Sequence, residues 1–274
     1  MAFMSAHQHV ATNHSTSSEN RIHSDDVAQQ YGYRGALVAG VQVFVHMTYP
    51  LTETLGDAWM HDSDVSVRLH KPTYHGDQLH MTMTSTDSSN FQVDCHSSVG
   101  SDDQAPDTHV ATHVAGLLAS LASPRAANEL VGQVGPAQAP ERVEITMERI
   151  ELNTPFASMF WHSTPEENRR FAEQVGDDQV AYQEGLIHPH LVLHYANQAL
   201  MARFILPAWL HVGSAIHFHR PLQAGEGVEI RCVPTEKWER KGHQFIKVYI
   251  AYRVDDETAI EIEHTAIFNI APRG

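Results

Sequence analysis

The segment Val67–Met81 returns 149 residues later as Ile216–Ile230, and nine of the fifteen positions match in identity or class. Both run apolar, His, base, Pro, three residues, Gly, acid, then alternating apolar positions. The same offset pairs Leu37-Val38 with Leu186-Ile187, with no gap between. A fixed offset held over that span means two copies of one unit, and such copies bury their apolar faces against each other. Each copy opens with a stretch that is apolar nearly all round, Ala36 to Tyr49 and Leu191 to Leu206, which reads as a helix buried on most sides. A strand with period-two alternation follows (Val65, Val67, Leu69; Ile216, Phe218). It ends at a Pro-x-x-x-Gly-acid turn, where Pro fixes φ and Gly supplies the turn conformation. Three further strands are expected in each copy: Leu79 to Ser85, Phe91 to Val99 and His109 to Leu118, then Val228 to Val233, Gln244 to Val254 and Ala259 to Ile270. Two open-edged sheets are best protected by pairing, so one continuous antiparallel sheet is expected.

Around these copies, residues 1–18 are small, polar and His-rich and read as a flexible arm. The first repeat spans 1–125 and the second 141–274, with 126–140 inside an Ala-, Gly- and Pro-rich linker running from Ser123 to Pro140. Arg142 to Leu152 reads as another strand. Thr164-Pro165-Glu166-Glu167 reads as a helix start that Gly176 ends, with Thr as cap and Glu167 completing a capping box.

Charge narrows the function. The net charge is −15, from 18 Lys+Arg against 33 Asp+Glu, and no basic run exists to hold phosphates, so no nucleic-acid partner is expected. No apolar stretch approaches the ~20 residues that span a bilayer, and Met1 to Asn20 lacks the features of a secretory signal. Cys95 and Cys232 are the only cysteines, far apart, which suits a reducing cytoplasm better than a disulfide framework.

The residues around the first helix carry a family resemblance. Asn20-Arg-Ile-His23-Ser-Asp25, then Ala28, Gly32-Tyr33 and Leu37-Val38-Ala39-Gly40, is similar to the MaoC-like (R)-specific enoyl-CoA hydratase signature of Asp-x-Asn-Pro-x-His-x-Asp, Ala, Gly-Phe and Ala-His-Gly. The Pro-x-x-x-Gly-Asp turn is also typical of that family. The resemblance implies an α+β double hotdog, with two buried central helices wrapped by antiparallel sheet. It implies hydration of a 2-enoyl thioester or its reverse, an acyl-CoA or acyl-carrier substrate, no cofactor, and a monomer or, preferably, a homodimer. In the family an Asp five residues before a His activates water, while a helix N-terminal N–H polarises the thioester carbonyl. Such chemistry needs a base, an acid and a fixed dipole for enolate charge.

Neither copy carries the whole pair. His23 and Asn20 are present in the first, but position 18 is Ser18 and Arg21 replaces Pro. In the second, Asp177 matches the Asp of the family and Tyr182 stands where the His belongs. A short helix is missing there, and Gly185-Leu-Ile-His188-Pro-His190 occupies the helix mouth. The candidate catalytic residues are therefore His23, Asn20, Asp177 and His188. Gly40 would donate its N–H to the thioester oxygen and Tyr182 a hydroxyl hydrogen bond, while Arg240 and Lys241 would meet coenzyme A phosphates. The first repeat is the preferred working copy, since Pro189 at Gly40's place has no N–H.

Each residue also has a plain structural reading. His23 precedes a helix, Asn20 suits an Asx turn, Asp177 follows a helix end, His188 and His190 suit a loop, Tyr182 a wall, and Arg240-Lys241 a charged hairpin tip. His217-x-His219 shares one strand face but has no third ligand nearby in sequence, so no metal site is expected. Thioester hydrolysis on the same scaffold, and thioester binding without catalysis, remain open beside hydration.

Overall fold

A computed structural model describes residues 2–98 and 111–271. Its strands are β1 (Ala2–Val10), β2 (Ser63–Leu69), β3 (Gln78–Ser85), β4 (Asn90–Ser98), β5 (Thr112–Ser120), β6 (Val143–Glu144), β7 (Met159–His162), β8 (Phe204–Ile205), β9 (Leu210–Phe218), β10 (Gly227–Arg240), β11 (His243–Val254) and β12 (Glu257–Asn269). Its α-helices are α1 (Asp25–Gln30), α2 (Gly40–Leu55), α3 (Pro165–Gln174), α4 (Val180–Gln183) and α5 (Pro189–Arg203). No helix among the described residues is long and apolar enough to cross a membrane.

Ten strands form one sheet in the order β1-β3-β4-β5-β2-β9-β12-β11-β10-β7, every neighbouring pair antiparallel. This order is a palindrome under the repeat, with β2 matching β9, β3 matching β10, β4 matching β11 and β5 matching β12. The junction register pairs Ser66 with Ala215, which are themselves repeat equivalents, so the local twofold passes through that pair. The isolated bridges Leu37–Tyr74 and Leu186–Gln223 are also equivalents. Gly76 and Gly225 turn the chain at positive φ (85° and 103°), as the Pro-x-x-x-Gly-acid turn requires.

Alternation builds the sheet's inner face. In β4, Phe91, Val93, Cys95 and Ser97 are buried between more exposed neighbours. That face closes over α2, which is buried without a break from Val41 to Thr48, and over α5, which packs against α2. The apolar all-round reading of both helices follows from this double covering. A double hotdog, an α+β fold, is the result.

Several expectations change. Residues 2–10 of the expected flexible arm form an edge strand paired with β3 from Ala2–Ser85 to Val10–Gln78. The strand looks polar in sequence because its inward face is Ser5, His7 and His9. Residues 36–39 are not helical: Ala39 is extended and α2 begins at Gly40, while α5 begins at Pro189. Their apolarity reflects burial of an extended approach. Of the strand expected over Arg142 to Leu152, only Val143–Glu144 pairs, in parallel with β8. Val99 and His109, expected at strand ends, lie outside the described residues.

Candidate functional site

The mouth of α2 keeps its donors unspent. Gln42 and Val43 N–H bond back to Ala39 O at 2.9 and 3.3 Å. Among the described residues, nothing accepts from the Gly40 or Val41 N–H, as expected of a helix's first turn. A Cβ at Gly40 would overlap Leu69 Cδ1 and lie 3.3 Å from His211 Nδ1, so a side chain here would displace Leu69 and crowd the mouth.

His23, beside this mouth, is 9% exposed. Its Nδ1 lies 2.8 Å from Leu37 O, and a carbonyl only accepts, so Nδ1 carries the proton. Nε2 is then a lone-pair acceptor, 3.3 Å from Asn20 Nδ2. Burial pushes the His23 pKa down, the Leu37 carbonyl opposing, which keeps the ring neutral near pH 7. Asn20 is spent on holding the repeats together. Its Nδ2 donates to Trp209 O at 2.9 Å, and its Oδ1 accepts from Trp209 N at 3.1 Å. The Asx-turn reading also holds, with Oδ1 accepting from Ile22 N at 3.4 Å.

A cavity of about 270 Å³ lies here, lined by His23, Gly40 and Thr73 from the first repeat and by Asn197, Trp209 and His211 from the second. Asn197 Oδ1, Trp209 Nε1 and His211 Nδ1 are buried with no protein partner. Three unsatisfied polar groups around one cavity are what a bound ligand or water would answer. His211 Nε2 meets Ser214 Oγ at 2.9 Å, which meets His264 Nδ1 at 2.9 Å, and the two rings stack at 4.3 Å. Burial pushes the His211 pKa down to about 4. A second cavity, of about 340 Å³, shares Asn20, His23, Ala39, Asn197 and Trp209 and reaches Ser18 and His190. Ser18 Oγ accepts from Asn20 N at 3.2 Å, so position 18 brings a hydroxyl and no carboxylate to His23. Glu19 turns to the surface and Arg142 at 2.7 Å.

The mouth of α5 is closed. Pro189 stands where Gly40 stands. His188 caps the helix: its Nδ1 accepts from His190 N–H at 3.3 Å, so the proton sits on Nε2 and is donated to Asp177 Oδ2 at 3.2 Å. His188 N–H donates to Asn168 Oδ1 at 2.7 Å, and Asn168 Nδ2 donates to Tyr182 O and Leu186 O, each at 2.8 Å. Leu186 is the equivalent of Leu37, so the buried Asn168 amide makes the bond that His23 makes in the first repeat. Tyr182 Oη bonds Thr52 Oγ1 at 2.8 Å, which also accepts from Trp59 Nε1 at 2.9 Å. Burial raises the Tyr182 pKa far above its usual value. Asp177, Tyr182 and His188 line neither cavity.

Three corrections follow. Asp177 pairs with His188 inside its own repeat and does not meet His23. His188 and His190 are buried, the first as a helix cap and the second inside α5. Tyr182 spends its hydroxyl on Thr52. Arg240 and Lys241 end a two-residue hairpin, Lys241 and Gly242 at φ 53° and 77°. Neither lines the cavity, though His243, the first residue of the returning strand, does. His217 and His219 turn to Asp64 and Glu261 at 2.9 and 2.7 Å. Motif spacing does not reach Asn197, Trp209 or His211, which the second repeat brings to a cavity of the first. The one available signal was a polar Asn within an apolar helical stretch.

No protein-family profile matches this sequence, and no curated protein matches it. Solved structures do match in fold. A MaoC-like dehydratase aligns over 96% of this chain and 97% of its own at 11% identity, with a TM-score of 0.56. A conserved hypothetical protein from Mycobacterium tuberculosis, described as a double hotdog, aligns over 97% and 96% at 11% identity and TM-score 0.58. A Lactobacillus plantarum protein provisionally described as an oleoyl thioesterase aligns over 96% and 96% at 11% identity and TM-score 0.51.

Proposed function

We propose that this double hotdog takes an acyl-CoA thioester into the cavity at Gly40, and that His23 interconverts a 3-hydroxyacyl and a 2-enoyl thioester there. What supports the reading is the neutral His23, its Nδ1 proton fixed by Leu37 O and its Nε2 lone pair met only by the 3.3 Å Asn20 amide contact that a substrate proton would displace, beside an unspent helix N–H in one cavity. In the dehydration direction, His23 Nε2 takes the α-proton. Negative charge moves onto the thioester oxygen, where the Gly40 N–H and the positive end of α2 hold it. The enolate then collapses to the C2–C3 double bond. The β-hydroxyl leaves, taking the proton from Nε2 to form water. One base serves both steps, which removes the need for a carboxylate at position 18. Asn20 acts by positioning, since its amide fixes His23 against Trp209. Asp177, His188 and Tyr182 take no part. Lys71 at the cavity and Arg240 and Lys241 on the neighbouring hairpin suit the phosphates of coenzyme A.

The test is a panel of 2-enoyl-CoA thioesters followed by loss of the conjugated absorbance, wild type against His23→Ala. Hydration that falls about 10²–10⁴-fold in the variant supports the reading. Equal rates overturn it. Free thiol release without hydration assigns thioester hydrolysis, and saturable binding without turnover assigns a carrier role.

A further inference from the structure

We propose that His7, His9 and His46 form a binding site for a divalent transition-metal ion, clamping the N-terminal edge strand to the first central helix. His7 and His9 lie two apart on β1, so both project from the sheet face turned to α2. His46, from α2, is buried opposite them. The candidate ligand nitrogens of all three lie within 4.8 Å of one another. His9 stacks on His46 with ring centroids 3.8 Å apart, and His7 stacks on Tyr49, one turn along α2, at 3.9 Å.

Nothing in the protein answers these rings by hydrogen bonding: among the described residues none of the three has a hydrogen-bond partner. His7 and His9 are only partly buried, so an ion can reach the three unpaired rings from the sheet edge. The arrangement is explained if the lone pairs have an acceptor. Three neutral imidazoles without thiolate select zinc, nickel, cobalt or copper over magnesium or calcium. Metal–nitrogen bonds of about 2.0–2.1 Å require the nitrogens to draw slightly closer. Side-chain rotation on an edge strand can supply that movement. A fourth position stays open for water or a carboxylate.

The test titrates Co²⁺ and then Zn²⁺ into the chelator-treated full chain carrying no affinity tag. Cobalt reports coordination in the visible spectrum, calorimetry reports zinc stoichiometry, and thermal melting reports stabilisation of the folded state. One equivalent of metal, visible cobalt bands displaced by zinc, and a raised Tm are expected. His9→Asn and His46→Asn should each weaken zinc at least ~10-fold, as ligand loss exceeds the loss of a supporting contact. His61→Asn and His75→Asn, exposed and outside the cluster, should leave it unchanged. His7→Asn repeats the measurement at the edge strand should His46→Asn fail to fold. Uptake of several weak equivalents, or one-equivalent binding that survives His7→Asn and His9→Asn, overturns the site.

Discussion

The two helix mouths of this molecule share a backbone plan and differ in polar saturation. At α2, Gly40 offers an N–H with no acceptor, His23 offers a lone pair, and three buried polar atoms around the cavity go unanswered. At α5, Pro189 removes the N–H, Asp177, His188 and Asn168 satisfy one another, and Thr52 of α2 satisfies the Tyr182 hydroxyl. Apolar patterning preserves both copies of the fold, because both must fill the same sheet. Polar residues at the mouths are free of that constraint. The first mouth leaves polar groups unsatisfied, whereas the second spends the same chemistry on its own hydrogen bonds. An Asp–His contact at hydrogen-bond distance is therefore no mark of a site, unless a lone pair and a cavity remain.

The sharpest way to break this contrast is to exchange the roles. His23→Ala should cost about 10²–10⁴ in kcat/KM, whereas His188→Ala should alter it by less than about tenfold once both are measured on folded protein. Equal losses in steady-state assays would erase the distinction between the mouths.

Asp177→Ala should act on stability instead. It strips the His188 Nε2–H and the Gln179 N–H of their acceptor, a loss of about 2–4 kcal/mol in urea unfolding with kcat little changed. A fall in kcat without a fall in stability would return Asp177 to the chemistry.

Acid should strain the open side. Burial holds His211 at about 4 against 6.5 in the unfolded chain, so the unfolded state takes up its proton first. Stability is then fully present above pH 6.5 and is lost as pH falls through 6.5 towards 4, by about 3 kcal/mol from this residue alone. His264 and His46, lowered further by burial, add to the same window. Urea midpoints at pH 8, 6 and 5 check the sign, which a midpoint rising on acidification would contradict.

Tyr182→Phe is the mildest change. It removes one buried hydrogen bond while Thr52 keeps Trp59, and should cost about 1 kcal/mol in thermal unfolding with activity intact.

The double fold was legible because its determinants are local and repeated. Alternation marks the strands, Pro-x-x-x-Gly-acid marks the turns, and an offset of 149 carries both into register at Ser66–Ala215. The boundaries of α2, and β1 itself, were less legible. Leu37, Val38 and Ala39 are buried but lie outside the helix, and β1's inward face is built from serine and histidine that read as a solvated arm. Around the first central helix, His23, Asn20 and Gly40 came forward as candidates through likeness to the MaoC-like signature. Only the tertiary structure decided which polar groups are spent. Asn20 meets Trp209 across 189 residues, Asp177 meets His188 in place of His23, and His211 reaches the first mouth from the second repeat. Hydrophobic periodicity is a property of a segment. Whether a donor or a lone pair remains free depends on every neighbour that folding brings to it, from the same repeat as at Asp177–His188 or from the other as at Asn20–Trp209.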